Sequence, residues 1–197
     1  TTTKHGFRTV VIDTLDGLEA LIWKHLMKRD SVETIDEVAG GYGKGYNAAI
    51  GVWREQIIAP LEALGKRGIH RVYLAHPMIR KVKNPDGSDF ESFDMKLQEK
   101  AAALFREWTS AVLFARHEQL VAIVKGKGAG EKSVGKITGR RVLETQPSAT
   151  FAAKNRYGLP TQIEMPISGA WDLLESTIKE ARGIHDEVLR LIAEREK

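Results

Sequence analysis

Several places in this chain combine residue types and spacings that could do chemistry. Val10-Val11-Ile12-Asp13-Thr14 is an apolar run that ends in a carboxylate. A carboxylate at the carboxyl end of a buried strand can hold a water of a Mg²⁺ shell. His76 follows the next apolar run, Ile69 to Ala75, so two polar residues end consecutive strands and face one crevice. Arg80, Lys81 and Lys83 come next and form a basic cluster. Lys154 and Arg156, within KNRYGLP, stand two residues apart; in an extended chain they point the same way and can clamp phosphate oxygens. Plainer readings stay open. Many strands end in Asp, a lone His usually caps a strand, and KNRYG also fits a solvated turn.

The stretch Gly40 to Asn47, GGYGKGYN, resembles a phosphate cradle at first sight. The G-x-x-x-x-G-K-[ST] loop of nucleotide-binding proteins needs Gly at 38 and Ser or Thr at 45 if Lys44 is its lysine. Those positions hold Val38 and Gly45, so the pattern fails twice. Residues 43–48 satisfy G-x-G-x-x-A, but that pattern must follow a strand directly, and Glu33 to Ala39 does not read as one. Two readings remain. One is a turn between helices. The other is a loop facing nucleic acid, where glycines admit a phosphate, Lys44 supplies charge, and Tyr42 and Tyr46 stack on bases. A second glycine-rich stretch, residues 125–141, carries Glu131 where the nucleotide loop needs Gly. It reads as a basic hairpin loop, with Lys125, Lys127, Lys132, Lys136, Arg140 and Arg141, either solvated or tracking phosphates.

The elements that position these residues follow from periodicity. Phe7 to Ile12 is a β-branched run, and Leu15, Leu18, Ile22 and Leu26 recur at helical spacing, predicting a helix over 15–28. Ala49, Trp53, Ile57, Leu61 and Leu64 predict a second helix, kinked at Pro60. Residues 78–93 read as a long polar loop, and Leu97 to Trp108 as a helix. Ala111 to Ala115 and Leu120 to Val124 read as strands, with shorter ones at 142–145, 150–153 and 163–167. Ser168 can cap a last amphipathic helix striped by Leu173, Leu174, Ile178, Ala181, Ile184, Val188, Leu191 and Ile192. Alternating strands and helices before residue 115 predict an α/β fold with a mainly parallel sheet and an antiparallel extension.

The 197 residues suit one domain with a substantial core. Hydrophobic residues make up 42% and charged residues 28%, an ordinary globular balance, and no apolar run approaches a membrane span. Zero cysteines exclude a disulfide framework or Cys-based zinc site and fit a reducing cytoplasm. The net charge of +4 permits a nucleic-acid partner without requiring one.

Taken in order, the stretches TVVIDTLDGLE, GGYGKGYNAA, VYLAHPMIRK, FREWTSAVLFA and AAKNRYGLP resemble a known family: phage RecA-like ATPases associated with single-strand annealing, P-loop NTPases of AAA type. The resemblance runs from Phe7 to about Pro166. It implies a RecA-like core over residues 1–167, from the Walker B strand onward, and a C-terminal amphipathic helix over 168–197, packed on or extending from that core. Asp13 matches the Walker B aspartate, with Mg²⁺ held through water and Thr14 beside it at the nucleotide. GGYGKGYN falls where that fold carries its first DNA-binding loop, contributing Tyr42, Lys44 and Tyr46. His76 falls at the residue that senses the γ-phosphate. Residues 77–93 match the second DNA-binding loop, with Arg80, Lys81 and Lys83. Lys154 and Arg156 match paired cations that reach the ATP of a neighbouring subunit, which implies a homo-oligomer.

The resemblance thus implies ATP and Mg²⁺ as cofactors, single-stranded DNA as partner, no membrane, and action in the cytoplasm of a bacterial host. In that family a Walker A loop precedes the Walker B strand; here TTTKHG precedes it. The chain is then expected to be the C-terminal part of a longer protein or a shortened relative. Three functions follow as expectations: an ATP-dependent single-strand-binding and annealing protein, a nucleic-acid-binding module without ATPase activity, or a replicative-helicase-like motor.

Overall fold

The β-branched run at the start of the chain forms β1 (Thr9–Asp13), and the second such run forms β2 (His70–Leu74). The two pair in parallel, with Asp13 opposite Leu74. The computed structural model describes residues 6–85, 87–125 and 131–195, with side chains at all of these except 120–125, 131–137 and 185–195. The chain divides into two compact units, Thr1–Arg80 with Phe93–Phe105, and Lys81–Ser92 with Arg106–Lys197.

In the first unit, β1 leads into α1 (Leu15–Asp30). Thr14 caps it: the hydroxyl oxygen accepts a hydrogen bond from the Gly17 N–H at 3.2 Å, satisfying a donor that the first helical turn leaves unpaired. Leu15, Glu19, Ile22 and Leu26 form the buried stripe of this helix. A 3₁₀ segment, Ile35–Gly40, leads into α2 (Lys44–Val52), a π-helical turn at Trp53–Ile58, and α3 (Ala59–Lys66). The helical path is therefore disturbed just before Pro60 rather than broken at it. Pro60 cannot donate, and its ring crowds the preceding turn. The wide turn accommodates this, and the Ala59 N–H reaches back five residues to the Arg54 carbonyl. Trp53 is fully buried, edge-on to Phe105 of α4 (Glu99–Trp108), with ring centroids 5.0 Å apart.

Residues 78–93 differ from the long loop expected. They contribute to paired strands, β3 (Pro77–Val82) and β4 (Phe90–Met95), joined by the turn at Asn84. The alternation of exposed and half-buried residues through Pro77–Val82 is the period-two pattern of a half-covered strand.

The second unit is built on antiparallel pairing. β5 (Ala111–Val112) pairs with β8 (Lys154–Asn155), and β6 (Phe114–Lys125), β7 (Glu131–Glu144) and β9 (Gln162–Met165) form a three-stranded sheet in the order β6-β7-β9. Buried Glu144 ties all three strands: its Oε1 accepts from Arg116 Nη2 at 2.6 Å and from Gln162 Nε2 at 2.9 Å. The last helix, α5 (Ala170–Arg195), begins after Gly169 at φ 70°. Ser168 therefore lies one residue short of the capping position expected for it. Leu173 and Ile184, from the expected stripe, are 37% and 60% exposed.

The fold is mixed α/β, with small sheets. Its parallel component among the described residues is the single β1–β2 pair, smaller than the sheet expected, and most strand pairing is antiparallel. Among the described residues no helix is long and apolar enough to cross a membrane.

Candidate functional site

Parallel pairing of β1 with β2 puts the carboxyl ends of both strands on one edge. Asp13 ends β1 there and is exposed; among the described residues nothing bonds its carboxylate. Thr14 follows through a cis peptide bond and is engaged in capping α1. His76 follows β2 by two residues, and its ring Nδ1 lies 2.9 Å from Oδ2 of Asp16 in the first turn of α1. The His76 backbone N–H donates to the other oxygen of the same carboxylate at 3.2 Å. Desolvation pushes the Asp16 carboxyl up, but the hydrogen bonds from the His76 ring and backbone and from Thr14 outweigh it, leaving a pKa of about 2.

On α1, three residues after Asp16, is a buried carboxylate that sequence reasoning missed. Glu19 is 6% exposed and accepts from the Gln98 N–H at 2.9 Å, just before α4. Burial raises its pKa, with the Gln98 N–H and the Arg80 charge acting in the opposite direction. Arg80 lies on β3, not on a loop. Its Nε is 3.1 Å from Oδ2 of Asp94, and its Nη2 donates to the Leu97 carbonyl. The Arg80 guanidinium is thus held by protein groups of its own unit. Helical spacing flags Glu19 only as a polar residue on an otherwise apolar stripe.

The glycine stretch is half turn and half helix. Ala39 through Gly43 all have positive φ, between 55° and 83°, and α2 begins at Lys44. Glycine is required at 45 for a different reason: a Cβ there lies 1.9 Å from the Ile35 carbonyl oxygen. The turn leaves Tyr42 98% exposed, with exposed Lys44 two residues on. Tyr46 instead packs edge-on to Trp23, ring centroids 5.7 Å apart. Its hydroxyl is pushed to a higher pKa by burial, aided by Asp36.

In the second unit, Lys81 and Lys83 are exposed on and after β3, and Lys81 lies 3.4 Å from Asp89. Lys154 is placed very differently from an outstretched cation. Its Nζ donates to the carbonyls of Arg106 at 2.5 Å, Glu107 at 2.9 Å and Thr109 at 2.8 Å, closing the C-terminus of α4. Burial lowers its pKa, helped by the neighbouring Arg156 charge. Arg156 reaches the Glu107 carbonyl at 3.3 Å and remains exposed. Asn155 between them accepts from the N–H groups of Tyr157 and Leu159, making the turn that KNRYG suggested. Arg140 pairs with Glu118 and Glu164, and Arg141 donates to the Pro166 carbonyl. Residues 126–130 lie outside the described residues, as do the side chains of Lys125, Lys132 and Lys136.

The strand-edge carboxylate of Asp13 suits a ligand in the outer shell of Mg²⁺, and no group of three or more potential metal ligands occurs among the described residues. No curated protein and no solved structure matches the chain. Residues 1–157, most of the 197, match the AAA domain. The chain therefore belongs to the AAA domain family, P-loop ATPases by type, and carries a nucleotide-binding class of fold.

Proposed function

We infer that this chain acts as an ATP-dependent single-stranded-DNA-binding and annealing protein, RecA-like in its core and at work in phage recombination. The observation that carries this reading is Asp13: an exposed carboxylate, bonded by none of the described residues, at the carboxyl edge of a parallel strand pair in an AAA-family chain. Asp13 would hold water on Mg²⁺ of a bound ATP. Bound Mg²⁺–ATP supplies a polarised γ-phosphate. His76, on the same edge, is the residue to sense it. Thr14 serves the site by fixing the start of α1, since its hydroxyl is already engaged. Arg156, exposed, is the better placed of the two cations to reach a neighbouring subunit, because the donors of Lys154 are taken by three carbonyls.

For DNA, exposed Tyr42 and Lys44 of the first unit can stack on a base and meet a phosphate, and in the second unit exposed Lys83, and Lys81 on leaving its ion pair with Asp89, can meet phosphates. Tyr46 and Arg80 support these surfaces from within. A homo-oligomer, single-stranded DNA and the cytoplasm of a bacterial host complete the proposal. A second reading, a nucleic-acid-binding module without ATPase activity, is favoured by the engagement of Lys154 within its own chain. Calorimetric titration with Mg²⁺–ATP separates the two. Micromolar binding lost in Asp13→Ala, in a chain whose circular dichroism is unchanged, supports the ATPase reading; no binding by the unaltered chain leaves the module.

A further inference from the structure

One carboxylate joins two turns that are 60 residues apart in the chain. Asp16 receives the backbone N–H of His76 on one oxygen and faces its ring Nδ1 with the other. Its side chain is 15% exposed, and that of His76 is 66% exposed. The main chain of His76 is held at its carbonyl as well, which accepts from the Lys96 N–H at 2.8 Å. Pro77 follows and further restricts the His76 backbone. With both main-chain groups and Nδ1 engaged, Nε2 is the remaining polar atom of the residue, and no described residue bonds it.

The protonation of the pair follows from the partner. With its pKa at about 2, Asp16 is ionised at neutral pH and accepts hydrogen bonds only. The hydrogen in the Asp16–His76 contact therefore belongs to Nδ1. In a neutral imidazole the other nitrogen then has none. We propose that Asp16 is a positioning residue that locks His76 in the Nδ1–H tautomer, leaving Nε2 as a hydrogen-bond and proton acceptor on the carboxyl edge of β1 and β2.

This assigns a class of ligand atom to the edge. A bare phosphate oxygen is itself an acceptor, so it meets no donor at neutral His76. Nε2 instead takes a hydrogen from a water or a hydroxyl group, and contacts a phosphate oxygen only after binding a proton itself, as an imidazolium opposite the Asp16 carboxylate. The identity of the ligand rests on the function proposed above; the tautomer does not, because it belongs to the unliganded chain.

Nitrogen-edited NMR of the histidine rings in the unliganded 197-residue chain reads the tautomer directly. The sequence has six histidines, and His76→Gln identifies the relevant signals by their loss. The neutral ring of His76 is expected to show a protonated Nδ1 and a bare Nε2. Asp16→Asn offers an amide N–H to Nδ1 and should reverse the major tautomer to Nε2–H. Thr14→Ala, which removes the α1 cap but keeps the carboxylate, should leave it unchanged. Nε2–H as the major form in the unaltered chain overturns the proposal, as does an unchanged pattern in a folded Asp16→Asn chain. If that variant does not fold, the unaltered chain decides alone. No nucleotide enters the measurement, so its failure is distinct from a failure to bind ATP.

Discussion

Replacing Lys154 by Met separates a structural lysine from a cation that serves a neighbouring subunit. The ammonium donates to three carbonyls at the end of α4, at 2.5, 2.9 and 2.8 Å. A hydrogen bond with one charged partner contributes about 1.5–3 kcal/mol net. The three bonds share one ammonium, and water can return to part of the carbonyl set, so the sum is well short of three independent bonds. A helix C-terminus adds up to about 1 kcal/mol for a nearby cation. Lys154→Met is therefore expected to lose about 3 kcal/mol. At roughly 2–4 °C per kcal/mol for a chain of this length, Tm should fall by about 6–12 °C. Arg156→Met, which gives up one long bond at 3.3 Å, should shift Tm by no more than about 2 °C. Thermal unfolding followed by circular dichroism measures both, with single-strand-dependent ATP hydrolysis measured on the same samples. A Lys154→Met chain with unchanged Tm and abolished hydrolysis would refute the structural assignment and restore Lys154 as a cation acting between subunits.

Gly45→Ala should destabilise by about 1–3 kcal/mol or more, because its Cβ would lie 1.9 Å from a backbone carbonyl of the 3₁₀ segment; urea unfolding showing less than about 0.5 kcal/mol of loss contradicts that close approach. The folded-state pKa of Asp16 is depressed to about 2 from 3.8, so its contribution to stability is present above about pH 4 and is lost as pH falls towards 2. Because the His76 ring is largely exposed, that contribution is about 1 kcal/mol, and it should be missing from the pH–stability curve of Asp16→Asn; curves of identical shape for the two chains would count against it.

Elements were more legible than contacts. The strands at Thr9–Asp13 and His70–Leu74 and the helix after Thr14 declare themselves by local composition and spacing, and the parallel pairing expected of strands alternating with helices puts Asp13 and His76 at one strand edge. The β3–β4 pair was hidden because polarity does not follow burial along Pro77–Val82, where Pro77 and Ile79 are exposed and Arg80 is half-buried, and an Asn-Pro turn within a polar stretch reads as loop. The partners of the charged residues were not legible at all. Lys154 meets carbonyls 45–48 residues earlier, and Asp16 meets His76 across 60 residues. Spacing on a strand reports which way a side chain points, not what waits for it there. Tyr46 illustrates the same limit: beside Tyr42 in sequence, it turns inward onto Trp23 because helix α2 has already begun at Lys44.

The most direct test of the central claim is fluorescence anisotropy of a labelled single-stranded oligonucleotide titrated with the chain, with Mg²⁺–ATP, with Mg²⁺–ADP and with neither, across a range of salt. The account predicts binding at least about tenfold tighter with Mg²⁺–ATP than with Mg²⁺–ADP, a loss of that difference in Asp13→Ala, and a salt slope shallower by about 1 in Lys44→Ala. Affinity that is the same in all three nucleotide conditions, or absent in all of them, contradicts it.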